Sequence, residues 1–139
     1  ARTVTPTKVA ARDRADAAFD TRGRQVIVVG QVRELYGSTG VTITSTAEAS
    51  FLSAGGASIY RDITDMVITN RSTGSVITCD IASSSGGATM FQVVLAERGG
   101  AVINFARPLK QTTANSNWTV KISAPSTVYF LTNFENNTT

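Results

Sequence analysis

The chain has 139 residues, of which 42% are hydrophobic and 17% charged, and its formal net charge is +3. That length suits one domain with a core of its own and a short arm besides. It contains no histidine and a single cysteine, Cys79, so the usual proton shuttle, the commonest metal ligand, an internal disulfide and a one-chain thiolate cluster are all excluded.

In chain order, residues 1–36 come first and carry the charge excess. Arg2, Lys8, Arg12, Arg14, Arg22, Arg24 and Arg33 outnumber Asp13, Asp16, Asp20 and Glu34, whereas the basic and acidic residues of 37–139 balance. The change of composition falls near Gly37-Ser38-Thr39-Gly40, which divides the chain into an N-terminal arm, 1–36, and a body, 37–139. TKVAARDRADAAFDTRGRQ has too few large apolar residues to fold alone and supports at most a short helix over 9–18. RQVIVVGQV, with Val26, Ile27, Val28 and Val29 in succession, reads as a strand near 25–33 that is covered on both faces or pinned against a neighbour.

No run approaches the roughly 20 apolar residues of a membrane span, and the N-terminal residues lack the apolar core of a secretory signal. Neither a membrane partner nor an export address is therefore expected. Asn70, Asn117, Asn136 and Asn137 open N-x-[ST] triplets. In a sequence rich in Ser, Thr and Asn these are read as chance rather than as glycosylation sites.

Beyond Gly40 strands follow one another at short intervals. VTITSTA and EASFLSA lead to the Gly55-Gly56 turn, IYRDITDMVITN to the turn NRSTGS, and SVITCDIA to SSSGG. TMFQVVLAE places Phe91, Val93 and Leu95 on one face. The RGG turn follows, and its Gly99-Gly100 pair permits a tight reversal. AVINFA places Ile103 and Phe105 together, and Pro108 belongs at an edge or a strand end because it cannot donate to a ladder. NWTVKIS turns Trp118, Val120 and Ile122 inward and Thr119, Lys121 and Ser123 outward, and TVYFLTNF closes the series. About eight short strands without a long amphipathic helix predict an all-β fold: an antiparallel two-sheet sandwich, jelly-roll-like, preceded by the arm.

The candidate sites each have a plainer explanation. The glycine pairs at 55–56, 86–87 and 99–100 match no phosphate-binding pattern and read as hairpin turns. Asp62 and Asp65, three apart on a strand, are expected on opposite faces and without a third ligand. Trp118 with Phe105, Phe130 and Phe134 could form a sugar-binding platform, but the alternation of Trp118 with Val120 and Ile122 assigns it to the core. Cys79 alternates with Ile77 and Ile81 and reads as a buried small hydrophobe. With no catalytic set, no metal and no cofactor in view, the chain is not expected to be an enzyme. Phosphate contact needs only Lys and Arg, yet the arm's acidic residues are interleaved and its only aromatics are Phe19 and Tyr36, so docking to protein is favoured over nucleic acid.

DITDMVITN at 62–70, GGAVINFARPLKQTTANSNWTVKIS at 99–123 and TVYFLTNF at 127–134 resemble a group of small tailed-bacteriophage structural proteins, in which a leader similar to DTRGRQVIVVGQVREL precedes a β domain. Here the turn reads TNRST, with Arg71 at its centre, and the following strand reads ANSNWT. The resemblance covers about three quarters of the chain. It implies a virion component, most naturally a capsid decoration or cement protein on the outer head surface that bridges major capsid protein subunits as a homo-oligomer, commonly a trimer. A receptor- or glycan-binding module of a head or tail fibre is the alternative. On the first reading the residues expected to dock on the capsid are Arg12, Arg14, Arg22, Arg24 and Val26, Ile27, Val28 and Val29, the last four by adding a strand to a partner's sheet edge.

Overall fold

The computed structural model describes residues 35–138, which form eight strands and no helix. The strands are β1 (Tyr36–Ile43), β2 (Ala49–Leu52), β3 (Ile59–Asn70), β4 (Ile77–Ala82), β5 (Phe91–Leu95), β6 (Gly100–Leu109), β7 (Trp118–Ile122) and β8 (Val128–Thr138). They make two four-stranded sheets, in the orders β1-β8-β3-β6 and β2-β7-β4-β5, and every pairing is antiparallel. This interleaving of early and late strands is the double Greek key of a jelly roll, so the expected all-β sandwich is the fold observed.

The period-2 patterns explain why these residues form strands and which face each one buries. On β4, Ile77, Cys79 and Ile81 are fully buried, and on β8 Val128, Phe130, Thr132 and Phe134 point into the same core. Phe51 of β2 and Phe130 of β8 stack across the two sheets with ring centroids 5.3 Å apart. Trp118, Ile43, Leu52, Ile63, Met66, Ile68, Leu95, Val120 and Ile122 fill the rest of the core. Each fully buried aliphatic side chain contributes about 1.5–3 kcal/mol from burial, before the entropy of ordering is counted.

Several details depart from the sequence expectation. β1 starts at Tyr36, five residues before the apolar run at Val41, so Gly37-Ser38-Thr39-Gly40 lies inside a strand. Thr119 faces away from the core as expected but is buried, because its hydroxyl donates to the Ser84 carbonyl (3.3 Å) in the loop after β4. The reversal before β6 takes its left-handed residue at Arg98, with φ 51°. Gly100 is needed there for closeness rather than for φ: a β-carbon on it would stand 2.9 Å from the Ile68 carbonyl oxygen.

The two aspartates form the largest departure. A β-bulge between Ile63 and Asp65 inserts Thr64, so Asp62 lies opposite Glu135 and Asp65 opposite Asn133. Glu135 and Asn133 are two apart on β8 and share a face, so Asp62 and Asp65 share it too. A spacing of three predicts opposite faces only while the strand keeps its register.

Candidate assembly surface

The residues expected to dock, Arg12, Arg14, Arg22, Arg24 and Val26–Val29, lie outside the described residues. The other sequence candidates all fall within 35–138, and the fold assigns most of them to packing. Trp118 and Phe130 are fully buried and Phe134 nearly so. The Trp118 indole N–H donates to the Arg61 carbonyl at 2.7 Å, and Phe105 is half-buried in an edge contact with Phe91, 5.8 Å between centroids. These four aromatics therefore present no common platform to a sugar. Cys79 is buried, and desolvation followed by the neighbouring Asp80 carboxylate pushes its thiol up to about 11.

Asp62 and Asp65, though on one face, have their oxygens engaged. Asp62 accepts from the Gln111 backbone N–H and from the Asn137 amide, each at 2.8 Å. Asp65 accepts from the Asn133 amide at 2.6 Å and from the Thr64 hydroxyl at 3.1 Å. Each carboxylate is thus tied to an asparagine amide, and among the described residues no group of three or more acidic or cysteine side chains is arranged to hold a metal ion.

Buried polar side chains tie the loops at both ends of the sandwich. At one end Gln111 accepts from the Arg61 N–H (2.8 Å) and donates to the Ser116 carbonyl (2.6 Å). Asn70, fully buried at the other end, donates to the carbonyls of Ser75 and Ala96, both at 2.9 Å, and accepts from the Ser72 N–H and the Ser126 hydroxyl, both at 3.0 Å. With its amide so committed, the triplet opened by Asn70 cannot accept a glycan in the folded body. Nothing in the sequence pattern marked Asn70 or Gln111 as fasteners; both signals exist only once distant loops meet.

On the outer face of the second sheet, Glu48 holds the loop that follows β4. Its carboxylate is kept below the usual range first by the neighbouring Thr119 hydroxyl, then by the Gly86 N–H, which stands 2.8 Å from Oε1.

Among the described residues, what remains uncommitted is backbone at the sheet edges. β1 and β6 edge one sheet, and β2 and β5 edge the other. β1, β2 and β5 contain no charged residue, and β6 has only Arg107, beyond its central stretch. The strand charges sit instead on interior strands: Arg61, Asp62 and Asp65 on β3, Asp80 on β4, Lys121 on β7 and Glu135 on β8. Val94 on β5 and Val102 on β6 are 63% and 70% exposed. Monomeric β proteins usually do the reverse and place charges, lysine above all, on edge strands to prevent pairing with another chain.

Among the described residues no helix is long and apolar enough to cross a membrane. No family model and no curated protein matches the chain. Among solved structures, a chain from work on Bacillus endospore appendages, described as forming a novel family of disulfide-linked pili, is 19% identical. It superposes with a TM-score of 0.43 over 82% of this chain and 96% of that one, a distant likeness that carries no functional argument.

Proposed function

We propose that this chain is a structural protein whose β-sandwich joins other chains into a surface assembly, and that it has no catalytic role. The observation that carries the reading is the placement of charge: interior strands hold it, and the four edge strands are almost bare. An unprotected edge offers main-chain donors and acceptors to a partner strand. The buried polar groups, meanwhile, are spent on holding loops.

The finer form of the proposal is decoration of a bacteriophage head. Its support is the likeness of DITDMVITN, GGAVINFARPLKQTTANSNWTVKIS and TVYFLTNF to small phage structural proteins, together with the charge excess of residues 1–36 over a neutral remainder. That excess would steer the arm toward an acidic capsid exterior, and burial of Val26–Val29 against the major capsid protein would supply lasting affinity.

The test is binding to purified heads. Full-length protein should add in hundreds of copies per particle, and protein shortened to begin at Leu35, which keeps all eight strands, should fold and not bind. Equal binding by the shortened protein would move attachment to the body. A handful of copies, or none, would remove the decoration reading.

A further inference from the structure

The sheet β1-β8-β3-β6 alternates strand direction at every step, so its two outer strands, β1 and β6, run antiparallel to each other. A second copy set beside the first in the same orientation therefore brings its β1 antiparallel to the first copy's β6, and the alternation continues without a break. We propose that this is the joint: β6 of one copy pairs with β1 of the next, head to tail, in one continuous sheet. The proposal rests on the reading that the bare edges join chains, and it names the partner as a second copy of this chain.

Three further features favour this joint. The first is length, since β1 offers eight uncharged residues and β6 offers seven, Gly100–Ala106, before Arg107. The second is the outer face. Val102 is the outer end of a cross-strand row that continues through Val67 and Leu131 to Gly40 on β1. Val102 is 70% exposed, and among the described residues no strand follows β6 in the sheet. Next to β1 of a second copy it would be covered and the row would run on.

The third feature is that both sheets gain at once. β1 packs beside β2 and β6 beside β5, so the same placement carries β5 toward β2 of the second copy, and neither of these strands has a charge. The half-buried Phe91, Val93, Ile103 and Phe105 that line the β5–β6 side of the core would then lose their remaining solvent contact.

The rival joints fit less well. A two-fold β6–β6 pairing centred on Ile103 would set Arg107 of each copy against the turn at Arg98 and Gly99 of the other, placing like charges together at both ends. A β1–β1 pairing would leave Val102 uncovered. A head-to-tail joint is heterologous: the twist of the sheet turns each added copy, giving a closed ring if the rotation closes and a filament if it does not.

The test uses the full chain and two edge-blocking variants at exposed outer-face positions, Val102→Lys on β6 and Ser38→Lys on β1. Sedimentation velocity of the unaltered protein should show association that rises with concentration. Each variant alone should be monomeric, with a melting temperature close to that of the parent. An equimolar mixture should form a 1:1 dimer and nothing larger, because only one pair of intact edges remains between the two variants. If Val102→Lys blocks association and Ser38→Lys does not, the joint is β6 with β6 and the proposal falls. It also falls if neither variant blocks, if the mixture stays monomeric, or if the unaltered protein is monomeric at ~1 mM. Copy number on purified particles is read separately, so a failed joint and a failed structural role are distinguishable.

Discussion

Gly37 on β1 lies directly opposite Phe134 on β8, and the phenyl ring occupies the space that a β-carbon at position 37 would take. The Arg61 guanidinium sits over that ring, 4.7 Å from its centroid, and donates through Nη1 to the Ser53 carbonyl at 2.9 Å. A glycine inside a strand costs backbone entropy, and here an aromatic ring covers the bare backbone in return. Gly37→Val should therefore force the ring aside and destabilise the fold by about 1–3 kcal/mol. Phe134→Leu in the same chain should recover part of the loss, and equilibrium denaturation in urea measures both. A neutral single variant would mean that the ring moves freely.

Asn70 joins three loops through one buried amide. Removing it with Asn70→Ala leaves the Ser75 and Ala96 carbonyls and the Ser126 hydroxyl without this partner. A buried polar group stripped of its partner costs about 1–3 kcal/mol, so a loss of roughly 2–4 kcal/mol is expected when loop relaxation and water entry are allowed for. Asn70→Asp should be at least as damaging, because the carboxylate cannot donate to either carbonyl. The check is the urea midpoint of each variant, together with hydrogen exchange in the loops at 71–76 and 96–99.

Much of this fold was legible because alternation is a local property. Ile77, Cys79 and Ile81, and likewise Trp118, Val120 and Ile122, follow the pleat without interruption, and the core contains them all. The eight strands and their turns gave the sandwich for the same reason. What stayed hidden depends on partners far away in sequence. A bulge at Thr64 is invisible until β3 is laid against β8, so the shared face of Asp62 and Asp65 could not be read from their spacing. The strand character of Gly37 to Gly40 comes from Phe134 and its neighbours on β8, not from local propensity. The candidate surface is an intermediate case: the absence of charge from β1, β2, β5 and β6 is plain in the sequence, but its meaning needs the strand order that makes those four the edges.

Thr132 points into the core from β8, and its Oγ1 has no hydrogen-bond partner among the described residues. Its cross-strand neighbours are Thr39 and Met66. Exchange of the hydroxyl for a methyl group keeps the β-branched shape and removes an uncompensated polar group. Thr132→Val should thus stabilise the fold by roughly 1 kcal/mol, within the range measured for unpaired buried hydroxyls. A shift of the urea midpoint to higher concentration with an unchanged slope would show it. A loss of stability would mean that the hydroxyl is satisfied in solution.

Cys79 supplies a pH dependence on the alkaline side. Burial first, and then the adjacent Asp80, raise its thiol to about 11 in the folded chain, while an unfolded cysteine titrates near 8.5. The folded state thus holds its proton more tightly than the unfolded state between those values. Stability from this group is fully present below about 8.5 and declines as pH rises toward 11, by a few kcal/mol at most on the scale of roughly 1.4 kcal/mol per pKa unit. Cys79→Ala should remove most of that decline, at the cost of a smaller core side chain. The buried thiol should also resist a maleimide at pH 7 in the folded protein and react readily in denaturant. Urea titrations at pH 7 and pH 10, run on both proteins, measure the difference. An equal loss of stability in the two proteins across that interval would assign the pH dependence to other groups.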